Sequence, residues 1–203
     1  FDTIREVLVA RDGEIANARL LVQRGEQLQQ AGRPKDAIRM LSDARIMAAK
    51  EETLEVSVQA ACLAAICYTS EGLVWAARME ALVAAQLSCK PVNGKFQSAW
   101  YASRATRLLA WIDLSCGRLS SFLRWMGIAT NCLNQLVEDG FDIDQFRNSY
   151  QTIEDALCSR LMLVDEAMNR RLEPLADALH YFGFPMARFV ILYNAGRADE
   201  ITE

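Results

Sequence analysis

Histidine occurs once in this chain of 203 residues, at His180, and proline only four times. With one imidazole, a Ser-His or Cys-His pair has a single residue to draw on, and paired-histidine zinc sites are excluded. The ten glycines form no phosphate-cradling loop, and neither G-x-S-x-G nor H-E-x-x-H occurs. His180 lies in LADALHYFG, flanked by apolar residues, the setting of a partly buried structural histidine. Neither catalysis nor a cofactor is expected. Long apolar runs are missing too. The best candidate, MARFVILYNAG from Met186, has about half of the ~18 to 20 residues that span a bilayer, and it carries Arg188. No membrane association is expected. The net charge of −4 argues against a general nucleic-acid binder, since affinity for phosphate needs concentrated Lys and Arg. The chain carries no secretory signal and begins at Phe1 rather than Met, so it reads as a piece of a longer protein whose other domains hold further chemistry.

Six cysteines are present, Cys62, Cys67, Cys89, Cys116, Cys132 and Cys158, with no CxxC pair among them. Five sit within apolar helical patterns, where a free thiol behaves as a small hydrophobe; reduced core thiols and a cytoplasmic location follow. The acids of VEDGFDIDQF lack the ligand order of a calcium loop. Gly140 is expected to end one helix there, and Asp142 to cap the next.

What the chain does have is helical periodicity. Hydrophobic residues make up 52% and charged residues 24%, a globular balance. Apolar side chains recur at spacings of three and four, Ala, Leu, Arg, Glu and Gln dominate, and no convincing alternation occurs. Breakers fall at Gly32-Arg33-Pro34, Gly72, KPVNGK, Gly117, Gly140 and Gly183 with Pro185. The chain is expected to be all-α.

Gly32, Gly72 and Gly117 stand 40 and 45 residues apart, and similar surroundings accompany each. Before Gly32 come Gly25 and Leu28, and after it Ala37, Leu41 and Ala44. The matching offsets give Ala65, Tyr68, Ala77, Ala81 and Ala84 around Gly72, then Ala110, Asp113, Phe122, Met126 and Ala129 around Gly117. A small residue seven places before the turn lets two helices approach, and the glycine closes the first helix in a left-handed conformation. Another small residue five places after it lets the second helix pack back, and Pro34 suits a helix start.

This set resembles the tetratricopeptide repeat, a helix-turn-helix unit with a ~34-residue period. The first copy matches well, the second has Ala81 where a large apolar residue is usual, and the third substitutes Phe122 and Asp113. The longer spacing is similar to the long-helix versions found in bacterial regulators and signal-transducing ATPases. The resemblance implies a right-handed α-solenoid of antiparallel helix pairs (TPR-like) over residues 14–137. Residues 1–13 are assigned to an N-terminal cap helix, and 138–203 to an irregular helical repeat and a C-terminal helical cap.

It also implies a concave face, lined by the first helix of each pair, that takes a protein or peptide partner. Offsets from the turn glycines place Arg19, Val22, Glu26 and Gln29 there, then Gln59, Cys62, Leu63, Ile66 and Thr69, then Arg104, Arg107, Leu108, Trp111 and Leu114. Arg19, Glu26, Gln59, Arg104, Arg107 and Trp111 are the candidate partner-binding residues. Chaperone-tail clamps of this family use Lys, Asn, Asn, Lys and Arg; the matching places here hold Val22, Glu26, Leu63, Arg104 and Leu108, of which only Arg104 fits. A non-catalytic protein-interaction scaffold is the leading expectation. A regulatory sensor domain that binds a small effector or an intramolecular domain is the second, and a secretion or assembly chaperone the third.

Overall fold

The computed structural model describes residues 2–50, 53–142, 144, 147–197, 199 and 200. Its first six helices are α1 (Asp2–Gln30), α2 (Pro34–Lys50), α3 (Leu54–Ser70), α4 (Val74–Ser88), α5 (Ala99–Ser115) and α6 (Leu119–Glu138). The C-terminal part holds α7 (Arg147–Leu161), α8 (Glu166–Leu172), a short 3-10 turn (Glu173–Leu175), α9 (Ala176–Tyr181) and α10 (Pro185–Asn194). The N-terminal segment runs into the first repeat helix as part of α1, with a kink at Gly13 (φ 81°, ψ −177°). Among the described residues the structure is all-α apart from one small hairpin.

One turn chemistry recurs throughout. Gly32, Gly72, Gly117, Gly140, Gly183 and Gly196 all have φ between 69° and 85°. In each case the next residue's N–H donates back to the carbonyl four residues before the glycine: Arg33 to Leu28 (2.8 Å), Leu73 to Tyr68 (2.9 Å) and Arg118 to Asp113 (2.8 Å) in the first three. Phe141 to Leu136, Phe184 to Leu179 and Arg197 to Leu192 repeat it at 2.9 Å. These are Schellman closures, and a side chain in that left-handed conformation costs about 1 to 2 kcal/mol. Glycine at these positions therefore sets where the helices stop.

Each of the first five helices packs on its successor, and α1 also packs on α3, and α3 on α5. The first helices of the pairs thus form one row and α2, α4 and α6 are the second helices. Helix α3 touches α1, α2, α4 and α5, which explains why QAACLAAICY is buried on nearly every side. Three large core clusters follow the chain, one under α1 to α3, one under α3 to α5, and one joining α5 and α6 to α7 through α10, and a small fourth gathers around Ala99 and Leu136. Tyr68 bridges the first two, while Trp111 and Trp125 bridge the second and third.

The volumes at the turn-related positions compensate one another. Gly25 has no Cβ because Leu41 presses on it: an added Cβ would lie 2.8 Å from both Cγ and Cδ2 of Leu41. In the second pair a Cβ is present at Ala65, and the counterpart of Leu41 shrinks to Ala81, both fully buried. In the third, Phe122 is admitted because its neighbour is the C-terminal cluster: its ring centroid lies 5.9 Å from that of Phe184.

Some expectations change. KPVNGK is a hairpin of two-residue strands, β1 (Pro91–Val92) and β2 (Lys95–Phe96), pairing Pro91 with Phe96 and Val92 with Lys95. Asn93 (φ 52°) and Gly94 (φ 80°) make the turn, the positive-φ pair that suits a tight hairpin. Asp142 Oδ1 accepts from the N–H of Asp144 at 2.9 Å, a bond of the kind a capping residue makes, ahead of α7 at Arg147. His180 is exposed at the end of the short helix α9, not partly buried. The stretch from Arg147 to Leu172 forms two consecutive helices, α7 and α8, with Asp165 capping α8 through the N–H of Met168 at 2.7 Å.

Candidate functional site

Thirteen residues before each of the first three turn glycines stand Arg19, Gln59 and Arg104. Because α1, α3 and α5 lie side by side, these equal offsets bring the three residues to one level. Together with Val22, Gln23 and Glu26 of α1, and Glu55, Val56 and Leu63 of α3, they line a cleft of about 330 Å³. Val22, Val56 and Leu63 are buried and form its apolar floor, while Arg19, Gln23, Glu26 and Glu55 are exposed around it.

The polar groups are partly linked. Arg19 Nη2 is 4.0 Å from Glu55 Oε2, and the Tyr101 hydroxyl donates to Glu55 Oε1 at 2.6 Å. Gln59 Nε2 donates weakly to the same hydroxyl at 3.4 Å. Burial, then the bond to Glu55, push the Tyr101 phenol up to about 12, so it remains a donor at neutral pH. Burial likewise pushes the Cys62 thiol up to about 11, with Arg104 pulling weakly the other way. A thiol so placed keeps its proton and is a poor nucleophile. Among the described residues Arg104 and Glu26 make no hydrogen bond or ion pair within the chain, so both retain their capacity for an incoming group. Donors and acceptors around an apolar floor can bind and orient a ligand; no activated nucleophile accompanies them. No group of three or more His, Cys, Asp or Glu side chains among the described residues is placed to hold a metal ion.

Four of the six candidate residues, Arg19, Glu26, Gln59 and Arg104, therefore share the cleft. Arg107 and Trp111 do not line it. Arg107 is only 8% exposed, and its Nε donates to the Ser103 carbonyl at 3.2 Å. Trp111 packs, half-buried, against two core clusters, because α7 to α10 fill the end of the array where α5 would otherwise face solvent. Tyr101 and Glu55 are the residues that sequence reasoning missed. Both lie one turn N-terminal to the level of Gln59 and Arg104, so the same offsets, carried one turn back, would have found them.

Asp113, which stands where a large apolar residue is usual, is a second feature. It is fully buried, and Arg78 Nε donates to its Oδ1 at 2.6 Å and Arg78 Nη2 to its Oδ2 at 3.3 Å. Trp125 Nε1 donates to Oδ2 at 3.1 Å, and Arg118 Nε approaches Oδ1 at 3.6 Å. The carboxylate thus ties α4, α5 and α6 together. A signal for it existed: a carboxylate at a position expected to be buried demands a cation.

A second cleft, of about 670 Å³, opens between the end of α2, the start of α3 and the end of α4. Arg45, Thr53, Ser57, Lys90 and Gln97 supply its polar lining, and Ile46, Leu54, Val83 and Leu87 its apolar one. Arg45 is paired there with Glu80. No helix among the described residues is long and apolar enough to cross a membrane. Comparison with protein-family models, with curated proteins and with solved structures found no match.

Proposed function

We propose that this chain is a non-catalytic protein-interaction module, a right-handed TPR-like solenoid with a C-terminal cap, that holds a peptide or helix of a partner on its concave face. One observation carries the reading: equal offsets on three successive first helices bring Arg19, Gln59 and Arg104 to one cleft with an apolar floor. Such a surface suits an extended or helical segment that presents an apolar side chain to Val22 and Leu63 and polar groups to Arg104 and Glu26. Arg104 is the expected hot spot, since it is half-buried and unpaired among the described residues. The test is a pull-down from native lysate with wild type and an Arg19→Glu/Arg104→Glu variant of matched helicity. A discrete protein retained by wild type and lost by the variant supports the concave-face site. Equal retention by both removes it.

The 670 Å³ cleft favours a second reading, a regulatory sensor domain of a larger protein, because its size falls within the ~300 to 1,000 Å³ of small-molecule sites. There the expected result is a melting-temperature shift with a small effector that Lys90→Ala abolishes and Arg104→Glu leaves intact.

A further inference from the structure

Trp75 is 66% exposed on the outward side of α4, although indole side chains are normally mostly buried. Met79, one helical turn on, and Leu73, at the start of the helix, are exposed as well. Single exposed apolar side chains are ordinary; three within so short a stretch form a patch.

The Trp75 ring is held in place by a partly exposed cation beside it. The Arg118 guanidinium lies 5.7 Å from the centroid of the Trp75 ring, and Arg118 Nε is 3.6 Å from the carboxylate of fully buried Asp113. Asp113 is fixed in turn by Arg78 and Trp125. The cation of this cation–π contact is thus positioned by a buried network, and the indole is presented in a defined orientation. Pre-organisation of that kind lowers the entropy lost on docking.

Cations outnumber acids around the patch. Asp113 offers a single negative charge to two guanidiniums, Arg78 and Arg118. The exposed ionisable side chains described on α2 are Lys35 and Arg39; α4 has none, and α6 has Arg124 and, at its far end, Glu138. The half-buried acids Asp36, Glu71 and Glu80 are paired with Arg33, Lys35 and Arg45, which leaves Asp43 against Arg39 and Arg124. The Lys35–Glu71 and Arg45–Glu80 pairs run at an offset of 35 to 36 residues between α2 and the segment that starts at the α3–α4 turn and continues into α4, so Arg39 falls level with Trp75. In a chain of net charge −4, this face has an excess of cations around an apolar centre.

We propose that the Trp75 face docks an acidic amphipathic segment of a partner protein, with an apolar side chain on Trp75 and Met79 and carboxylates meeting Arg39 and Arg118. Charge complementarity selects this occupant. A nucleic-acid strand fits less well: its affinity rests on concentrated cations, whereas Met79 and Leu73 offer neither charge nor hydrogen bonds. This surface is separate from the concave cleft, so the two succeed or fail independently.

The experiment is a selection on the wild-type chain from displayed random peptides of about 16 residues, with counter-selection on Trp75→Ala. Enriched peptides are expected to carry net negative charge and an aromatic or leucine anchor. A synthetic copy of the best one should bind wild type about tenfold more tightly than Trp75→Ala or Arg39→Glu, lose affinity as salt rises, and bind Arg104→Glu unchanged. Both Trp75 and Arg39 are exposed, and circular dichroism melts will verify the fold of each variant. The proposal is overturned if counter-selection leaves no peptide, if the survivors are neutral or basic, or if Arg104→Glu removes binding equally. Tighter binding of an oligothymidylate strand at the same face would also overturn it.

Discussion

Replacing Gly25 with alanine sets two effects of opposite sign against each other. Glycine inside a helix is less favourable than alanine by about 1 kcal/mol, so on an open face the change would stabilise. Here the new Cβ would stand 2.8 Å from Cγ and Cδ2 of Leu41, closer than such atoms tolerate, and Leu41 is fully buried with no solvent to retreat into. Overpacking of this kind costs about 1 to 3 kcal/mol, so the expected net result is a loss of up to about 2 kcal/mol. Leu41→Ala alone should lose about 2 to 5 kcal/mol through the cavity it leaves. The double variant recreates the Ala65 and Ala81 combination of the second pair, and it should lose less than the sum of the singles by about 1 to 2 kcal/mol. Urea unfolding followed by far-UV circular dichroism, with equal m-values across the four proteins, measures all three terms. A stabilised Gly25→Ala that adds independently to Leu41→Ala would refute the close-approach explanation of the first turn.

Asp113→Ala should cost about 3 to 5 kcal/mol in the same assay, since it leaves Arg78, whose side chain is 15% exposed, without its carboxylate. Arg78→Met/Asp113→Leu should recover most of that loss, and a double variant as unstable as the single would contradict the pairing. Alkaline pH should destabilise the fold. Burial pushes Cys62 up to about 11 and Cys132 up to about 12, so the folded chain keeps protons that the unfolded chain releases from ~8.5 upward. The stabilisation is fully present below that value and is lost as pH climbs through the folded values, at roughly 1 kcal/mol per pH unit per thiol. Thermal melts under reducing conditions test this, and a melting temperature that holds level or rises above about pH 9 would contradict it.

The helix boundaries were legible because a Schellman closure needs a residue that accepts positive φ, and Gly32, Gly72 and Gly117 mark it directly in the chain. The same closure at Gly196 escaped notice, as no proline or loop composition accompanies it. Arg19, Gln59 and Arg104 could be grouped from the sequence since neighbouring first helices preserve an offset from the turn. Arg107 and Trp111 fall outside the cleft for different reasons: Arg107 folds back onto the Ser103 carbonyl of its own helix, and the third pair is followed by α7 to α10, whose Leu157, Leu179 and Phe184 join the cluster against which Trp111 packs. Asp113 read as a lapse in the pattern, because Arg78 and Trp125 meet it only once α4 and α6 have packed beside α5. The hairpin was hidden by its size, two-residue strands being too short to show alternation. His180 was misplaced because α9 is a short helix whose neighbours in sequence do not reveal which side faces solvent.

A photo-reactive amino acid placed at Gln59, in the middle of the cleft, tests the concave-face site most directly. The same probe at Gln151, exposed on α7, serves as the reference position. Irradiation of the full chain in native lysate is expected to attach one discrete protein from Gln59 and not from Gln151, with the adduct lost in an Arg104→Glu background. Equal labelling from both positions, or an adduct at Gln59 that persists with Arg104→Glu, would contradict a partner site in this cleft.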